Sequence, residues 1–185
     1  MNKQSIRKES RQFRKNLPAS TKHQKDLKLC QFAERLISKL GSQKIFIYLA
    51  TAEEPNLETL RQTISTGITF YAPVVINQNE MIFCPYDSTS ILKPNNFGIL
   101  EPANQKEVPP DDNTLIIIPC VAADKRGFRI GYGGGYYDRY LEQYPNIKTA
   151  GLCYNECLYE NIPIEDHDKK LDFIITDLDE SGVSL

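Results

Sequence analysis

Apolar residues recur at helical spacing through the first forty positions and then condense into short continuous runs. Lys3–Asn16 has a helix-forming composition, and the Leu-Pro pair that follows predicts its end, because the residue before proline avoids the helical region. An apolar stripe at helical period predicts a second helix, which Ser20 or Thr21 caps and Gly41 ends. The chain is therefore predicted to begin with two helices.

After residue 41 the apolar runs predict strands. The run 45–50 is predicted to be buried on both faces, and 115–118 is the clearest buried strand. The other predicted strands cover Thr69–Val75, 81–84 (an edge strand), 150–153 and 173–176. Helices are predicted over residues 57–65, with Asn56 as the cap, and over 135–143, whereas residues 85–113 are predicted to be mostly loop. This alternation predicts a three-layer α/β/α fold with a central, mostly parallel sheet, whose ligands bind at the carboxyl ends of the strands.

The composition is that of an ordinary soluble globular protein and excludes several other classes of protein. The 185 residues are 41% hydrophobic and 25% charged, with a net charge of -2, so no global basic field attracts nucleic acid. No apolar run approaches the roughly 20 residues of a membrane span, and the basic N-terminus lacks the hydrophobic stretch of a secretory signal. Five widely spaced cysteines argue against a disulfide framework or a zinc site, and Cys120 is interpreted as a buried residue. We expect one domain over residues 1–185, monomeric and cytoplasmic.

The most informative segment is RIGYGGGYYD at residues 129–138. Its glycines permit positive φ angles and let backbone N–H groups approach a ligand. A helix begins directly after them, and such an arrangement binds phosphate. Arg129 adds a forked donor for a phosphate oxygen, and Asp138 is a hard oxygen ligand suited to Mg²⁺. The segment matches neither a Walker A motif nor a Rossmann fingerprint.

In its motifs the chain resembles the 5-formyltetrahydrofolate cyclo-ligase family, also called 5,10-methenyltetrahydrofolate synthetase. The specific part is DKRGFRIGYGGGYYDRYL at residues 124–141. The basic N-terminal helix, the strand-then-acid segment 48–54, GILEP at 98–102 and PIEDHDKKLD at 163–172 follow the family order. The resemblance implies a fold like that of the NagB, RpiA and CoA-transferase proteins.

The resemblance also implies a reaction. The enzyme would bind MgATP and 5-formyltetrahydrofolate, and the formyl oxygen would attack the γ-phosphate. N10 would then close on the activated carbon, which releases phosphate and gives 5,10-methenyltetrahydrofolate and ADP. An amide oxygen is a poor leaving group, and phosphorylation makes it a good one. The protein would supply mainly positioning and charge stabilisation.

Family positions transfer to this chain residue by residue. The implied ATP-binding residues are Lys3, Gln4, Ser5, Ile6 and Arg7, together with Arg129, Ile130, Gly131, Tyr132, Gly133, Gly134, Gly135, Tyr136 and Tyr137. The implied substrate-binding residues are Leu49, Glu54, Phe97, Gly133 and Gly135, with Arg7 also near the folate. Arg129 and Tyr137 would be catalytic. Asp138 and Asp166 would bind the metal, with Asp168 competing with Asp166, while His167 is interpreted as a surface or packing residue.

Several of these assignments have a plainer alternative. Phe97 would form an aromatic wall for the pterin or pack in the core. Of the two tyrosines 136 and 137, one is expected to contact ligand and the other to anchor the helix. Glu54 suits the paired N–H donors of a pterin, although it also fits an ordinary loop acid.

The chain departs from the family pattern at two places. The family's Glu-x-x-Thr is here Glu54 followed by Pro-Asn-Leu, so a hydroxyl is missing, and Asn56 would replace it as a helix cap. Gly134 stands where many relatives carry a lysine. Arg129, Lys125 or the N-terminal basic residues would then supply the missing charge, so we expect the first helix to fold over the site.

Two other functions remain open from the sequence. A non-catalytic domain that binds nucleotide or sugar phosphate would keep the glycine-rich segment but would need neither Glu54 nor the late acids. An RNA-binding protein is suggested by the basic first helix, against which the net charge of -2 weighs.

Overall fold

The computed structural model describes residues 1–64 and 67–178. In this part of the chain the helices are α1 (Lys3–Asn16), α2 (Ala19–Leu40), α3 (Glu58–Thr63) and α4 (Tyr136–Gln143). The strands are β1 (Lys44–Phe46), β2 (Thr69–Val75), β3 (Met81–Tyr86), β4 (Leu92–Pro94), β5 (Leu100–Pro102), β6 (Thr114–Pro119), β7 (Ala122–Asp124), β8 (Arg129–Ile130), β9 (Lys148–Leu152), β10 (Leu158–Tyr159) and β11 (Phe173–Ile175). No helix in these ranges is both long enough and apolar enough to cross a bilayer.

The main sheet has six strands in the order β11-β9-β6-β1-β2-β3. Its pairs are parallel except for β2 with β3, and in the centre Ile45 lies opposite Phe70 on one side and Leu115 on the other. The prediction of a mostly parallel sheet is confirmed, as is the position of β3 at an edge. β3 is two residues longer than predicted.

Both faces of this sheet are buried at its central strand β6. Successive strand residues point to opposite faces, and all four residues of the apolar run 115–118 are fully buried. On one face Phe46 stacks on Phe83 with 4.4 Å between ring centroids, and Tyr140 of α4 contacts Phe83 edge-on at 5.1 Å. Helices α2 and α3 add buried side chains to the same core. The fold is thus a mixed α/β fold, whereas the NagB/RpiA-like label and the single domain over 1–185 stay predictions, and residues 179–185 lie outside the described part.

The ends of the helices follow local chemistry. α1 has the predicted bounds and begins with a capping box, in which the Asn2 side chain accepts from the Ser5 N–H at 2.8 Å. The prediction that Ser20 or Thr21 caps α2 is wrong, because that helix starts at Ala19 directly after Pro18 and has no side-chain cap. Gly41 ends it in the left-handed conformation, as predicted.

Other boundaries differ from the predictions. β1 is shorter than predicted and ends at Phe46. The next residue, Ile47, still donates its N–H to the Tyr71 carbonyl of β2 at 2.9 Å. The prediction that Asn56 is the N-cap of α3 is wrong, because the helix begins at Glu58 and its N-cap is Leu57. The Asn56 side chain still accepts from the Glu58 N–H at 2.9 Å. The helix ends at Thr63, and the predicted end at Ser65 lies outside the described residues. Within the stretch predicted as loop, β4 and β5 form an antiparallel hairpin.

A second sheet, β10-β7-β8, was not predicted. It is organised by Asp124, a fully buried carboxylate that accepts from the backbone N–H groups of Arg126, Phe128 and Ile162 at 3.0–3.1 Å. The polar loop 124–127 is therefore the turn between β7 and β8. Lys125 on this turn pairs with Glu160.

Candidate functional site

A cleft of about 1080 Å³ opens where the central strands end. Its lining includes Tyr48 and Leu49, which lie two and three residues beyond β1, and Pro119 at the end of β6. The topology of a parallel α/β sheet places ligands at this edge. The predicted location of the site therefore agrees with the geometry.

The glycine-rich segment connects β8 to α4 and forms one wall of the cleft, which every residue from 129 to 138 lines. Gly133 has φ +103° and Gly135 has φ +68°, a region that residues with a Cβ rarely adopt. A Cβ on Gly133 would meet no atom of the described chain within 4 Å. The backbone of Gly133 thus faces open space, as a loop that receives a ligand must.

Arg129 and Asp138 form an ion pair across this segment. Arg129 Nη1 donates to Asp138 Oδ1 at 2.8 Å, and the two side chains are 5% and 20% exposed. The Nε of Arg129 is also buried, and it has no partner in the described part of the chain. The Arg129 guanidinium is thus held at the cleft, and its buried Nε–H is a donor that a ligand could satisfy.

Helix α1 lies over the cleft. Arg7 Nε donates to the Gly131 carbonyl at 2.8 Å, and Lys3 Nζ donates to Asp168 at 2.6 Å. These two residues and Arg11 are spaced four apart, so they share one helix face, and all three line the cleft together with Gln4. The expectation that the basic helix folds over the glycine-rich segment is confirmed.

Two residues implied in ATP binding lie outside the cleft wall. The Ser5 hydroxyl completes the capping box of α1. Ile6 is 1% exposed and packs with Ala122, Ile130 and Ile162. The positions of these two residues outside the cleft follow from helical geometry. Consecutive residues on a helix point about 100° apart, so residues 3–7 cannot all face one ligand.

Arg14 holds α1 in place, and the sequence did not indicate this. Its side chain is buried, and Nη2 donates to the carbonyls of Cys120 and Val121, the latter at 2.8 Å. The guanidinium carbon lies 5.9 Å from the centre of the Tyr154 ring. The sequence pattern does not distinguish this buried arginine from the exposed basic residues of the same helix.

The cleft also contains a buried carboxylate. Glu54 is 5% exposed, and its Oε2 accepts from the Thr51 N–H at 2.7 Å. Tyr48 steadies the same loop by donating from its hydroxyl to the Pro55 carbonyl at 2.8 Å. Glu54 is therefore a positioned acceptor, unlike Glu53, which pairs with Arg11 at 3.1 Å.

The tyrosines of the glycine-rich segment have different roles. Tyr136 anchors α4, because its hydroxyl donates to the Asn77 carbonyl at 3.2 Å. Burial, and then the nearby Glu54 carboxylate, raise the pKa of Tyr132 to about 12 and that of Tyr137 well above its ordinary value. Both tyrosines line the cleft close to the Glu54 carboxylate.

The β4–β5 hairpin presents Phe97 at the rim of the cleft. Phe97 is 71% exposed, so the alternative that it packs in the core is wrong. The Asn95 side chain shapes the turn by accepting from the N–H groups of Phe97 and Ile99 at 2.8 and 3.0 Å. Glu101 ties the hairpin to β2, since its Oε1 accepts from Asn95 Nδ2 at 2.6 Å and from the Val75 N–H at 3.1 Å.

The late acids divide between two cavities. Asp168 lines the main cleft and, with Glu165 and His167, offers ligand atoms that lie within 4.8 Å of one another. Partial burial disfavours its carboxylate, but the Lys3 ammonium and the Glu165 N–H outweigh this and lower the pKa of Asp168. Asp166 is exposed and lines an adjoining cavity of about 550 Å³, which Asp138 also borders.

Fold and site together define a mixed α/β protein whose ligand cleft lies at the carboxyl edge of the sheet, beneath a basic helix. A model of the 5-formyltetrahydrofolate cyclo-ligase family matches residues 1–177. The chain belongs to this family.

Individual relatives agree with this assignment. The chain is 34% identical over 176 residues to the 5-formyltetrahydrofolate cyclo-ligase of Haemophilus influenzae, covering 91% of this chain and 94% of the relative. It is 33% identical over 123 residues to the Escherichia coli K12 enzyme of the same name, covering 63% and 68%.

Solved structures show the same fold. The 5,10-methenyltetrahydrofolate synthetase of Aquifex aeolicus superposes with a TM-score of 0.82 at 28% identity, over 97% of this chain and 91% of that one. The synthetase of Mycoplasma pneumoniae gives 0.74 at 26% identity, over 96% and 99%.

Proposed function

We propose that this protein converts 5-formyltetrahydrofolate to 5,10-methenyltetrahydrofolate with the hydrolysis of ATP to ADP and phosphate. The observation that carries the proposal is the composition of one cleft. The glycine-rich segment and the basic face of α1 meet there with the buried Glu54 and the exposed Phe97. These elements lie far apart in the sequence, and a folate and a triphosphate require all of them.

In the proposed reaction the formyl oxygen forms a bond to the γ-phosphorus while the bond from that phosphorus to the β,γ-bridging oxygen breaks, which releases ADP. The lone pair of N10 then attacks the activated formyl carbon. The C–O bond to the phosphorylated oxygen breaks, N10 loses its proton, and inorganic phosphate leaves. This route uses the energy of ATP to turn an amide oxygen into a leaving group.

The residues of the cleft suit these steps. Lys3 and Arg7 on α1 and the N–H groups of the glycine-rich segment would surround the phosphates, and the Arg129 guanidinium would stabilise the charge that develops on the transferred group. Glu54 would accept from the paired N–H donors of the pterin, with Phe97 against its ring. Tyr137 lines the cleft and would donate a hydrogen bond from its phenol.

A divalent metal fits the donor set of the cleft. Asp138 and Asp168 both line it, and carboxylate oxygens are the ligands that Mg²⁺ prefers. Mg²⁺ bound there would neutralise charge on the β- and γ-phosphates. Each of these carboxylates is paired through one oxygen with a cation, Asp138 Oδ1 with Arg129 and Asp168 Oδ2 with Lys3, so Mg²⁺ would bind through the other oxygen or displace the cation. We prefer Asp168 to Asp166 as the second ligand because Asp166 lies on the adjoining cavity.

A spectrophotometric assay tests the proposal directly. Purified protein with 5-formyltetrahydrofolate and MgATP should form 5,10-methenyltetrahydrofolate, and omission of ATP or chelation of the metal should abolish the signal. Titration calorimetry should give binding of both ligands. Binding of ATP without affinity for 5-formyltetrahydrofolate would overturn the proposal in favour of a non-catalytic nucleotide-binding domain. The cytoplasmic location and the monomeric state stay predictions.

A further inference from the structure

Arg139 of α4 connects two segments of the molecule that are distant in the sequence, the β2–β3 turn and the glycine-rich segment. Its Nε donates to the Asn79 carbonyl at 2.7 Å, and its Nη2 donates to the carbonyls of Gly134 at 2.9 Å and of Gln78 at 3.4 Å. One planar guanidinium thus connects the β2–β3 turn to the glycine-rich segment. We call this set of contacts the Arg139 latch.

Neighbouring groups keep the latch in one geometry. The guanidinium carbon lies 5.0 Å from the centre of the Tyr136 ring, and the Tyr136 hydroxyl donates to the Asn77 carbonyl of the same turn. A Cβ on Gly135 would lie 2.6 Å from Arg139 Nη1. Residue 135 therefore has to be glycine for the guanidinium to reach the Gly134 carbonyl.

The latch determines which way one peptide group points. In a planar trans peptide the C=O and the N–H point in opposite directions. Gly134 and Gly135 border both cavities, whereas Arg139 borders only the smaller one. Because Arg139 holds the Gly134 carbonyl, the N–H of Gly135 is directed away from the guanidinium, and Gly135 itself lines the main cleft.

The Gly135 N–H is suited to a ligand. Within residues 1–64 and 67–178 it has no hydrogen-bond acceptor, and it lies directly before the first turn of α4. Glycine-rich backbone rotates easily, so an unlatched peptide would spend much of its time turned away from the cleft. A donor fixed before the ligand arrives does not lose this freedom on binding.

We propose that Arg139 is a positioning residue for phosphate: it holds the Gly134–Gly135 peptide so that the Gly135 N–H faces the nucleotide. This inference rests on the proposed function, since the anion is the phosphate of ATP. It assigns Arg139 a role that depends on its forked geometry. The three carbonyls accept from two different nitrogens in one plane, which a lysine ammonium cannot reproduce.

The test compares Arg139→Lys with Arg35→Lys. Arg35 lies on α2 three residues after an aromatic side chain, as Arg139 does, and its guanidinium carbon lies 5.7 Å from the Phe32 ring, but it is not part of the cleft. Calorimetry with ATP should give a dissociation constant about tenfold higher for Arg139→Lys, the effect of one lost hydrogen bond. Arg35→Lys should bind like the wild type.

Hydrogen–deuterium exchange without nucleotide gives the second readout. Arg139→Lys should exchange faster in segments 76–80 and 131–136 and nowhere else. An unchanged ATP affinity would overturn the proposal, because the positive charge alone would then suffice. Unchanged exchange in 131–136, or faster exchange throughout the chain, would overturn it as well. If the wild type itself fails to bind ATP, the proposed function fails, and the exchange comparison still decides whether the latch orders the segment.

Discussion

Arg129 Nη1 donates to Asp138 Oδ1 at 2.8 Å and so joins the strand before the glycine-rich segment to the helix after it. The pair closes the base of this segment and leaves its glycines facing the cleft. It also brings a guanidinium and a carboxylate together at the place where the proposed phosphate and metal would meet.

Asp138→Asn should reduce turnover with MgATP at least about tenfold, since even the outer partners of metal-ligating groups contribute that much. The amide keeps an oxygen for Arg129 but loses the charge, so the free energy of unfolding should fall by only about 1–3 kcal/mol. Steady-state rates at increasing Mg²⁺, with a thermal melt, measure both effects. Unchanged activity would show that the metal assignment is wrong.

Asp168→Asn and Asp166→Asn form a matched pair that decides between the late acids. Asp168 lies in the main cleft and forms an ion pair with Lys3, whereas Asp166 borders the adjoining cavity. The first substitution should raise the Mg²⁺ concentration for half-maximal activity by about tenfold or more, and the second should leave it nearly unchanged. The reverse order would restore Asp166 as the ligand.

Glu54→Gln should weaken 5-formyltetrahydrofolate binding by about tenfold to a hundredfold, which is the worth of a hydrogen bond to a charged group. The ATP affinity should stay close to that of the wild type. Glu53→Gln is the control from the same loop, and its effect should be much smaller because its carboxylate is in a solvent-exposed ion pair with Arg11, whereas Glu54 is buried. Equal effects of the two substitutions on folate binding would contradict the role of Glu54.

Gly133→Val should abolish detectable ATP binding, because a branched side chain would stand in the open space that the phosphates need. The same change at Gly41 is the matched control. Gly41 also has a positive φ, +66°, and a Cβ on it would likewise meet nothing within 4 Å, but it ends α2 far from the glycine-rich segment. Both variants should lose about 1–2 kcal/mol of stability through backbone strain, and only Gly133→Val should lose ATP. Normal ATP affinity in Gly133→Val would rule out the phosphate cradle.

The buried thiols predict how stability depends on pH. Burial raises the pKa of Cys30, Cys84 and Cys120 to about 11, from an ordinary value of 9.0. Between these two values the unfolded chain loses thiol protons that the folded chain keeps, so the unfolded state binds fewer protons and stability falls as pH rises. Urea unfolding should give a constant free energy from pH 6 to 8 and a steady decrease from about pH 9 to 11.

Thiol labelling checks the same burial independently. All five cysteines are free and buried, so a thiol reagent at pH 8 should label the native protein slowly and the denatured protein at five sites. Fast labelling of the native protein would contradict the packing of the core.

Much of the fold could be predicted because it is encoded in local patterns. The apolar run 115–118 predicts a buried strand most clearly, and it lies within β6, while β2 and α1 have the predicted bounds. The sequence of residues 85–113 predicts mostly loop, because the β4–β5 hairpin has three-residue strands with proline and little alternation. Such strands are stabilised by contacts with other elements of the fold. Here the Glu101 side chain of β5 accepts a hydrogen bond from the backbone of β2.

The sequence by itself determined the family and the glycine-rich segment, because a run of glycines between a strand and a helix with fixed polar neighbours has few other uses. It also indicated that α1 must complete the site. Only the tertiary structure decided which side chains of α1 face the cleft, which late acid lies there, and that Arg139 holds the Gly134 carbonyl. These are relations between residues distant in the chain, and they depend on the angles at which elements pack, which no local pattern contains.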